Sequence, residues 1–404
     1  MSDLVQRACP VCGAGAAVEV HRHRFSALAG VALDGFEQTL LSCEDCGTHY
    51  VGEYLSPAAL ARYYAHSSSY EYLVSEQALP REEAQRSQQQ HAFLRPYLKP
   101  GARVLDVGCS TGYTLSLFAD EGHQAHGIEP SSVLSQMARE RYGLRVDTCF
   151  VERADQLPPG QDLVMLSHVL EHLMAPAPML AAIRASLGPG GRLFIEIPVI
   201  ELFDERDLFQ LSFEHVNYFS HGSLSNLMHR CGFREVEHQV FENDDGTSPH
   251  YPTLASLWEV ADEATALPRV NRARHDRAVL RRYLALVARH TEQTDALIRQ
   301  LMDAGRRVAI WGGGTLTAQL LAKSALGHYR EQLLGILDVD PKKHGLQMQS
   351  MPVWQPDSAQ GQALLAGAEA VIIGSWSSQD AIHAALRQRG VAESRIVRLF
   401  STPH

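Results

Sequence analysis

No apolar run in this chain reaches the roughly 20 residues needed to cross a lipid bilayer, so a membrane-spanning protein is not expected. The opening residues, MSDLVQRACPVCG, lack the apolar stretch of a secretory signal. An excess of basic charge is missing too. Lys and Arg number 36 against 46 Asp and Glu, and the formal net charge of -10 offers no uniformly attractive field to a phosphate backbone or an anionic membrane. Neither nucleic acid nor membrane is therefore the expected partner, and the expected compartment is the cytoplasm. A disulfide framework is also lacking: the seven cysteines fall into two CxxC pairs and three singles, Cys109, Cys149 and Cys231, as suits a reducing compartment. There is no low-complexity tract and no short-period repeat. At 45% hydrophobic and 20% charged, the composition is that of folded globular protein.

What is present suffices for more than one core. A chain of 404 residues exceeds one ordinary domain, and two or three are expected. The pattern divides it into a small front module (residues 1–66), an alternating strand and helix region (67–245), a helical connector (246–304) and a rear α/β domain (305–404). The connector contains a long stretch with apolar residues at three- and four-residue intervals on a charged background, which reads as one amphipathic helix. Asn243-Asp244-Asp245-Gly246 is a turn cluster that marks the expected exit from the second region. The fold class is thus α/β, with parallel sheets behind a zinc-binding module.

The front module carries Cys9-Pro-Val-Cys12-Gly and Cys43-Glu-Asp-Cys46-Gly, two matching knuckles about thirty residues apart. Each turns two thiolates toward one point, and four soft ligands enclose zinc tetrahedrally with no open position. A structural zinc is therefore expected, without direct chemistry. His21, His23 and His49 are read as ordinary surface histidines, with a place near the metal as the alternative.

In the second region, Arg103-Val104-Leu105-Asp106-Val107 is an apolar strand ending in Gly108-Cys109-Ser110-Thr111-Gly112 and a helix. Small residues let such a turn approach a ligand, and the helix start offers free N–H groups. The next strand, HQAHGIEPS, ends in Glu129, about twenty residues on, where a carboxylate can accept from both ribose hydroxyls. Asp106 before the turn, and GxxxG spacing in place of GxGxxG, separate this pattern from a dinucleotide fingerprint. The stretch resembles the first motif of the class I S-adenosylmethionine-dependent methyltransferases, with Ser110 at the usual middle glycine. The resemblance implies that Asp106, Gly108, Cys109, Ser110 and Gly112 line the methionine end, that Glu129 and Pro130 lie at the ribose, and that the loop at Ala154 and Asp155 flanks adenine.

Two further segments extend the likeness. A strand at 162–167 runs into His168-Val169-Leu170-Glu171-His172-Leu173, and Leu187-Gly188-Pro189-Gly190-Gly191 opens a fifth strand; many enzymes of this class have nearly the same pieces there. HVLEH alone also matches the HxxEH zinc-protease pattern, but it leaves a parallel strand at the ligand-binding edge, so that reading is set aside. Ser167 and His168 are expected near the cofactor, and His172 near the substrate.

The segment after the fifth strand, Phe213-Glu214-His215-Val216-Asn217-Tyr218-Phe219-Ser220, is the densest collection of acid–base groups in the region. With the front knuckles and the rear domain, it resembles the C-methyltransferases that act on nucleotide-linked 4-keto-deoxysugars. That resemblance implies His215 as the base, Glu214 on the sugar, and Tyr64, Tyr70, Tyr72 and Tyr218 around the acceptor. An unperturbed imidazole titrates near neutrality, which suits such a base. The chain departs from that family at Ser212, where a tyrosine is usual, and at Ile310-Trp311-Gly312-Gly313-Gly314, where a glycine–alanine turn and a lysine are usual. The expected activity is methyl transfer to a small molecule, foremost C-methylation of a nucleotide-linked keto-sugar through an enolate with His215 as base, with O- or N-methylation of another natural-product intermediate as one alternative and a non-catalytic zinc-ribbon protein that binds the cofactor as the other.

Overall fold

The computed structural model describes residues 4–24, 37–56, 58–60, 81–151, 154–205, 208, 210–242, 251–261, 271–345, 347–376 and 378–399. Tyr64, Tyr70 and Tyr72 lie outside these. Among the described residues the chain forms two compact units, divided inside a long helix between Leu284 and Ala285.

The first unit begins with β1 (Leu4–Gln6), β2 (Ala17–Arg24), β3 (Glu37–Cys43), β4 (His49–Val51) and β5 (Glu53–Leu55). The two CxxCG segments fold as the sequence suggests: Gly13 and Gly47 take φ of 76° and 80°, and their N–H groups donate back to the carbonyls of Cys9 and Cys43 at 2.8 and 3.1 Å. A side chain at either glycine would be strained in that left-handed conformation.

Next come α1 (Arg81–Leu94), β6 (Arg103–Val107), α2 (Tyr113–Asp120), β7 (Gln124–Ile128), α3 (Ser132–Tyr142), β8 (Arg145–Asp147), β9 (Gln161–Ser167), α4 (Pro176–Ser186), β10 (Leu187–Ile197), β11 (Asn217–Tyr218), α5 (His221–Arg230), β12 (Phe233–Phe241) and β13 (Thr253–Val260). Seven of these strands form one sheet in the order β12-β13-β10-β9-β6-β7-β8. All run parallel except β13, which is antiparallel to both neighbours. The central strands are nearly continuous apolar runs because both faces of the sheet are covered; Leu105, Val164 and Ile195 are fully buried on one face, and Val104, Met165 and Phe194 on the other.

Two expected boundaries change. The turn cluster at 243–246 is not a domain exit, because β12 and β13 on either side of it are paired neighbours in the same sheet. The stretch 246–304 is accordingly not all connector: β13 is a sheet strand, and the helix occupies α6 (Ala273–Asp303). A turn signal is local and does not distinguish a hairpin from a domain boundary. The front module is not separate either. β11 leaves the large sheet region and pairs with β4, completing a four-stranded sheet in the order β11-β4-β3-β2.

The second unit continues with β14 (Val308–Trp311), α7 (Thr315–Lys323), β15 (Leu333–Leu337), β16 (Gln347–Met348), β17 (Met351–Trp354), α8 (Ala359–Gly367), β18 (Ala370–Ile373), α9 (Gln379–Gln388) and β19 (Ile396–Val397). Its sheet order is β16-β17-β15-β14-β18-β19, parallel but for the short β16.

Candidate active site

The turn between β6 and α2 sits against the end of β7: the N–H groups of Gly108 and Cys109 both donate to the carbonyl of Ile128, at 2.7 and 3.2 Å. Gly112 has φ of 80°, and a Cβ there would lie 2.7 Å from Ala138 Cβ and 2.8 Å from Leu144 Cδ1, so packing as well as conformation demands glycine. Ser110 takes φ of 50°, the left-handed conformation expected where related sequences place glycine. Cys109 buries its thiol among Leu115, Ala138 and Val146, and only its backbone belongs to the turn.

Two acids flank this bend. Glu129 accepts from the N–H of Ser110 at 2.9 Å and from that of Ser131 at 2.8 Å; burial pushes its carboxyl up, and these two donors oppose the shift. Asp106 is 4% exposed, and its Oδ1 has no hydrogen-bond partner. Burial, reinforced by the charge of Glu129, raises its carboxyl to about 7. A buried acid with an oxygen unpartnered is costly on its own terms, and fits a site made for a cationic ligand group. Pro130 is exposed just beyond Glu129, and Asp155 is exposed on the short turn Ala154–Gln156.

Across the strand ends lies a second polar cluster. His168 has φ of 53°, so His168 and His172 do not share the face of one helix, and the metalloprotease pattern fails on geometry. Its N–H donates to the carbonyl of Glu196 at 2.9 Å, and its Nδ1 is 3.2 Å from Glu171 Oε1. Glu196, fully buried in β10, accepts from Ser167 Oγ at 3.2 Å, from Thr253 Oγ1 at 2.7 Å and from the Gln90 amide. Burial alone would raise Glu171, which is 1% exposed, yet His168, His172 and His215 hold its carboxyl down to about 2. Ser167 is thus committed to Glu196 and Gln90.

The segment from Phe213 to Ser220 is pinned from two sides. On one, Val216 N–H donates to the carbonyl of Glu171 at 2.9 Å, and the Asn217 amide donates to Leu170 O at 3.1 Å and Leu173 O at 2.7 Å. On the other, Val51 N–H donates to Val216 O at 2.9 Å. Arg7 donates to Val216 O at 3.1 Å, Met174 O at 2.9 Å and Asn217 Oδ1 at 2.8 Å, while Gln38 donates to Phe213 O at 2.9 Å. The front module therefore holds the loop that carries Glu214 and His215.

His215 and His172 meet edge to face with ring centroids 4.9 Å apart, and His172 Nδ1 lies 3.1 Å from the carbonyl of Glu214. Burial and the neighbouring His172 push His215 down to about 3, well below the near-neutral titration expected of an unperturbed imidazole. Tyr218 is buried, with its hydroxyl donating to Ser212 O at 3.3 Å and its ring 6.2 Å from that of His215. The structure thus gives Tyr218 a supporting position beside His215.

The four knuckle cysteines converge as the spacing implies. Cys9 and Cys46 sulfurs are 3.5 Å apart, those of Cys12 and Cys43 are 3.4 Å apart, and all four lie within 4.8 Å of one another. A tetrahedron with Zn–S bonds of about 2.3 Å has edges of about 3.8 Å, so this donor set fits a closed thiolate site. His49 is fully buried on β4, which corrects its reading as a surface residue; burial lowers it to about 4.

Sequence reasoning passed over Arg7, Gln90, Glu171 and Glu196. A carboxylate inside the apolar run LFIEI was a usable signal for Glu196, since a charge is placed there only with partners. Nothing local marked Arg7, whose acceptors Met174 O, Val216 O and Asn217 Oδ1 are some 170–210 positions away.

Sheet order with a single reversed strand, the glycine bend and the flanking acids together define a class I S-adenosylmethionine-dependent methyltransferase domain, and this chain carries one. Residues 80–239 match the family model described as a methyltransferase domain. Among curated proteins the chain is similar to C-methyltransferase NovU of Streptomyces niveus, 26% identical over 274 residues, covering 65% of each chain. It is also similar to the tRNA U34 carboxymethyltransferase of Pseudoalteromonas translucida, 32% identical over 162 residues (36% of this chain, 49% of the other). A ubiquinone biosynthesis O-methyltransferase of Aeromonas salmonicida is 36% identical over 102 residues, 24% of this chain and 42% of the other. The chain spans just under two thirds of the length of the first of these relatives and about half or less of the others.

Proposed function

We propose that the whole chain is an S-adenosylmethionine-dependent C-methyltransferase whose acceptor is a small-molecule ketone, a nucleotide-linked keto-sugar being favoured by the sequence motifs. The observation that carries this reading is the His172–His215 pair standing over the ionised, buried Glu171. The likeness to NovU supports it, because that match is longer than the methyltransferase core alone, whereas the matches to the tRNA and ubiquinone enzymes cover a smaller part of the chain.

In this reading Asp106 faces the ammonium of the cofactor, Glu129 its ribose, and the loop at Asp155 its adenine, with the bend from Gly108 to Gly112 allowing close approach. When bound, the cofactor supplies an electrophilic methyl group on sulfur. The depressed His215 is unprotonated at neutral pH, the form a base requires, and it takes the proton from the carbon next to the ketone. Glu171 favours positive charge on either ring and so opposes, without overcoming, the burial and the His172 charge that hold His215 low. Glu214 orients the acceptor. Cys9, Cys12, Cys43 and Cys46 hold a structural zinc that fixes the knuckles, and through Arg7 and Gln38 the front module sets the position of the His215 loop.

The test is transfer of labelled methyl to a panel of nucleotide-linked keto-sugars, with exchange of solvent deuterium next to the ketone followed in parallel. His215→Ala should cut turnover by about 10²- to 10⁴-fold and abolish the exchange while leaving cofactor affinity within about twofold. Product formation without exchange would point instead to O- or N-methylation, a reading to which the ubiquinone O-methyltransferase match lends support. Cofactor binding without any methyl transfer would leave only a binding protein.

A further inference from the structure

Outside the methyltransferase site, His221 at the start of α5 meets Glu235 and His238 of the edge strand β12. His221 Nε2 lies 2.9 Å from Glu235 Oε2, His238 Nδ1 contacts Oε1 of the same carboxylate, and the two rings are 4.4 Å apart. In a regular strand, residues three apart point to opposite faces. Here the register with β13 slips between Glu235 and Glu237, leaving Val236 as an extra residue, and that bulge brings Glu235 and His238 to the same side.

One donor atom from each residue lies within 4.8 Å of the others. A tetrahedral zinc with bonds of about 2.0–2.1 Å separates its ligand atoms by about 3.3 Å, so small side-chain adjustments suffice. Two imidazoles and one carboxylate form a borderline donor set suited to Zn²⁺, Co²⁺ or Ni²⁺, and three protein ligands leave a position for water. The surrounding charge helps: Glu201 accepts from the N–H of His221 at 3.1 Å, and Arg272 is the cation acting against it. All three donors are at least a fifth exposed, so an ion can reach them.

We propose that His221, Glu235 and His238 bind one divalent transition-metal ion, Zn²⁺ by preference, which clamps the first turn of α5 to the bulge of β12. This site is independent of the cysteine cluster and of the methyl-transfer chemistry.

The full-length protein is dialysed against micromolar Zn²⁺ and then against metal-free buffer of low chelating power, and zinc per chain is measured for wild type and for the double variant His221→Gln/His238→Gln. The expected result is a loss of about one zinc per chain in the variant, whatever the cysteine site retains. In the wild type, titration with Zn²⁺ should shift two histidine ring resonances at one added equivalent. Equal zinc content in both proteins, or histidine resonances that do not move, would overturn the assignment. Glu235→Gln keeps both rings and should weaken the same titration at least about tenfold, so an effect of the double variant on folding would not obscure the outcome.

Discussion

The chain contains the strand, glycine bend and helix arrangement twice, and the two copies differ in what their acids have left to offer. In the first unit Glu129 accepts from two backbone N–H groups, while Asp106 remains buried with an unpartnered oxygen and a carboxyl raised to about 7. In the second unit the strand-end acid, Asp338, accepts from Gly313 N–H at 2.6 Å and Asp340 N–H at 2.8 Å, and the Lys343 ammonium lies 3.2 Å away. No acid precedes that bend; its strand reads Val308–Trp311 and is buried throughout. A glycine bend with a following acid is therefore a way of joining strand to helix. Ligand binding asks in addition for polar capacity that the protein does not itself consume.

The largest effect separating the two bends should come from the acids themselves. Glu129→Ala is expected to weaken binding of S-adenosylhomocysteine by about 10- to 100-fold, the worth of hydrogen bonds to a charged group, as read by calorimetry on the full chain. Affinity as strong as wild type would remove Glu129 from the ribose.

A smaller and more specific effect concerns pH. A cationic ligand group requires Asp106 ionised, and its raised value of about 7 means the free protein must first lose that proton. Affinity should therefore fall about tenfold per unit as pH drops below about 7 and level off above it, and Asp106→Asn should flatten the profile. A flat wild-type profile between pH 5.5 and 8 would place Asp106 away from the ligand.

The smallest effect on ligand is expected in the rear unit. Asp338→Ala should leave S-adenosylhomocysteine affinity unchanged and cost that unit about 1–3 kcal/mol, because the Gly313 N–H loses its acceptor. Hydrogen exchange of the strands around Gly313 is the measurement; lost cofactor affinity in this variant would erase the distinction between the bends.

Much of this architecture is readable along the chain. The apolar runs at 103–107, 162–167 and 193–197 fall on β6, β9 and β10 because buried parallel strands must be apolar on both faces, and the CxxCG spacing marks the four sulfurs that come together. Long-range polar pairing is what sequence conceals. Arg7 reaches Asn217, and Gln90 reaches Glu196, across separations that no local pattern encodes. The return of β13 into the sheet is hidden for the same reason, since a turn cluster looks alike whether the chain leaves a domain or doubles back inside it. The environment of His215 was equally unreadable: its depressed titration arises from burial and from His172, forty-odd positions earlier.

The most direct measurement is calorimetric titration of the purified full-length protein with S-adenosylmethionine, alongside NAD as the competing nucleotide. One equivalent of S-adenosylmethionine should bind, with affinity lost in an Asp106→Asn/Glu129→Ala double variant and kept in Asp338→Ala. Absence of any heat with S-adenosylmethionine, or saturation of the β6–α2 bend by NAD instead, would contradict the account.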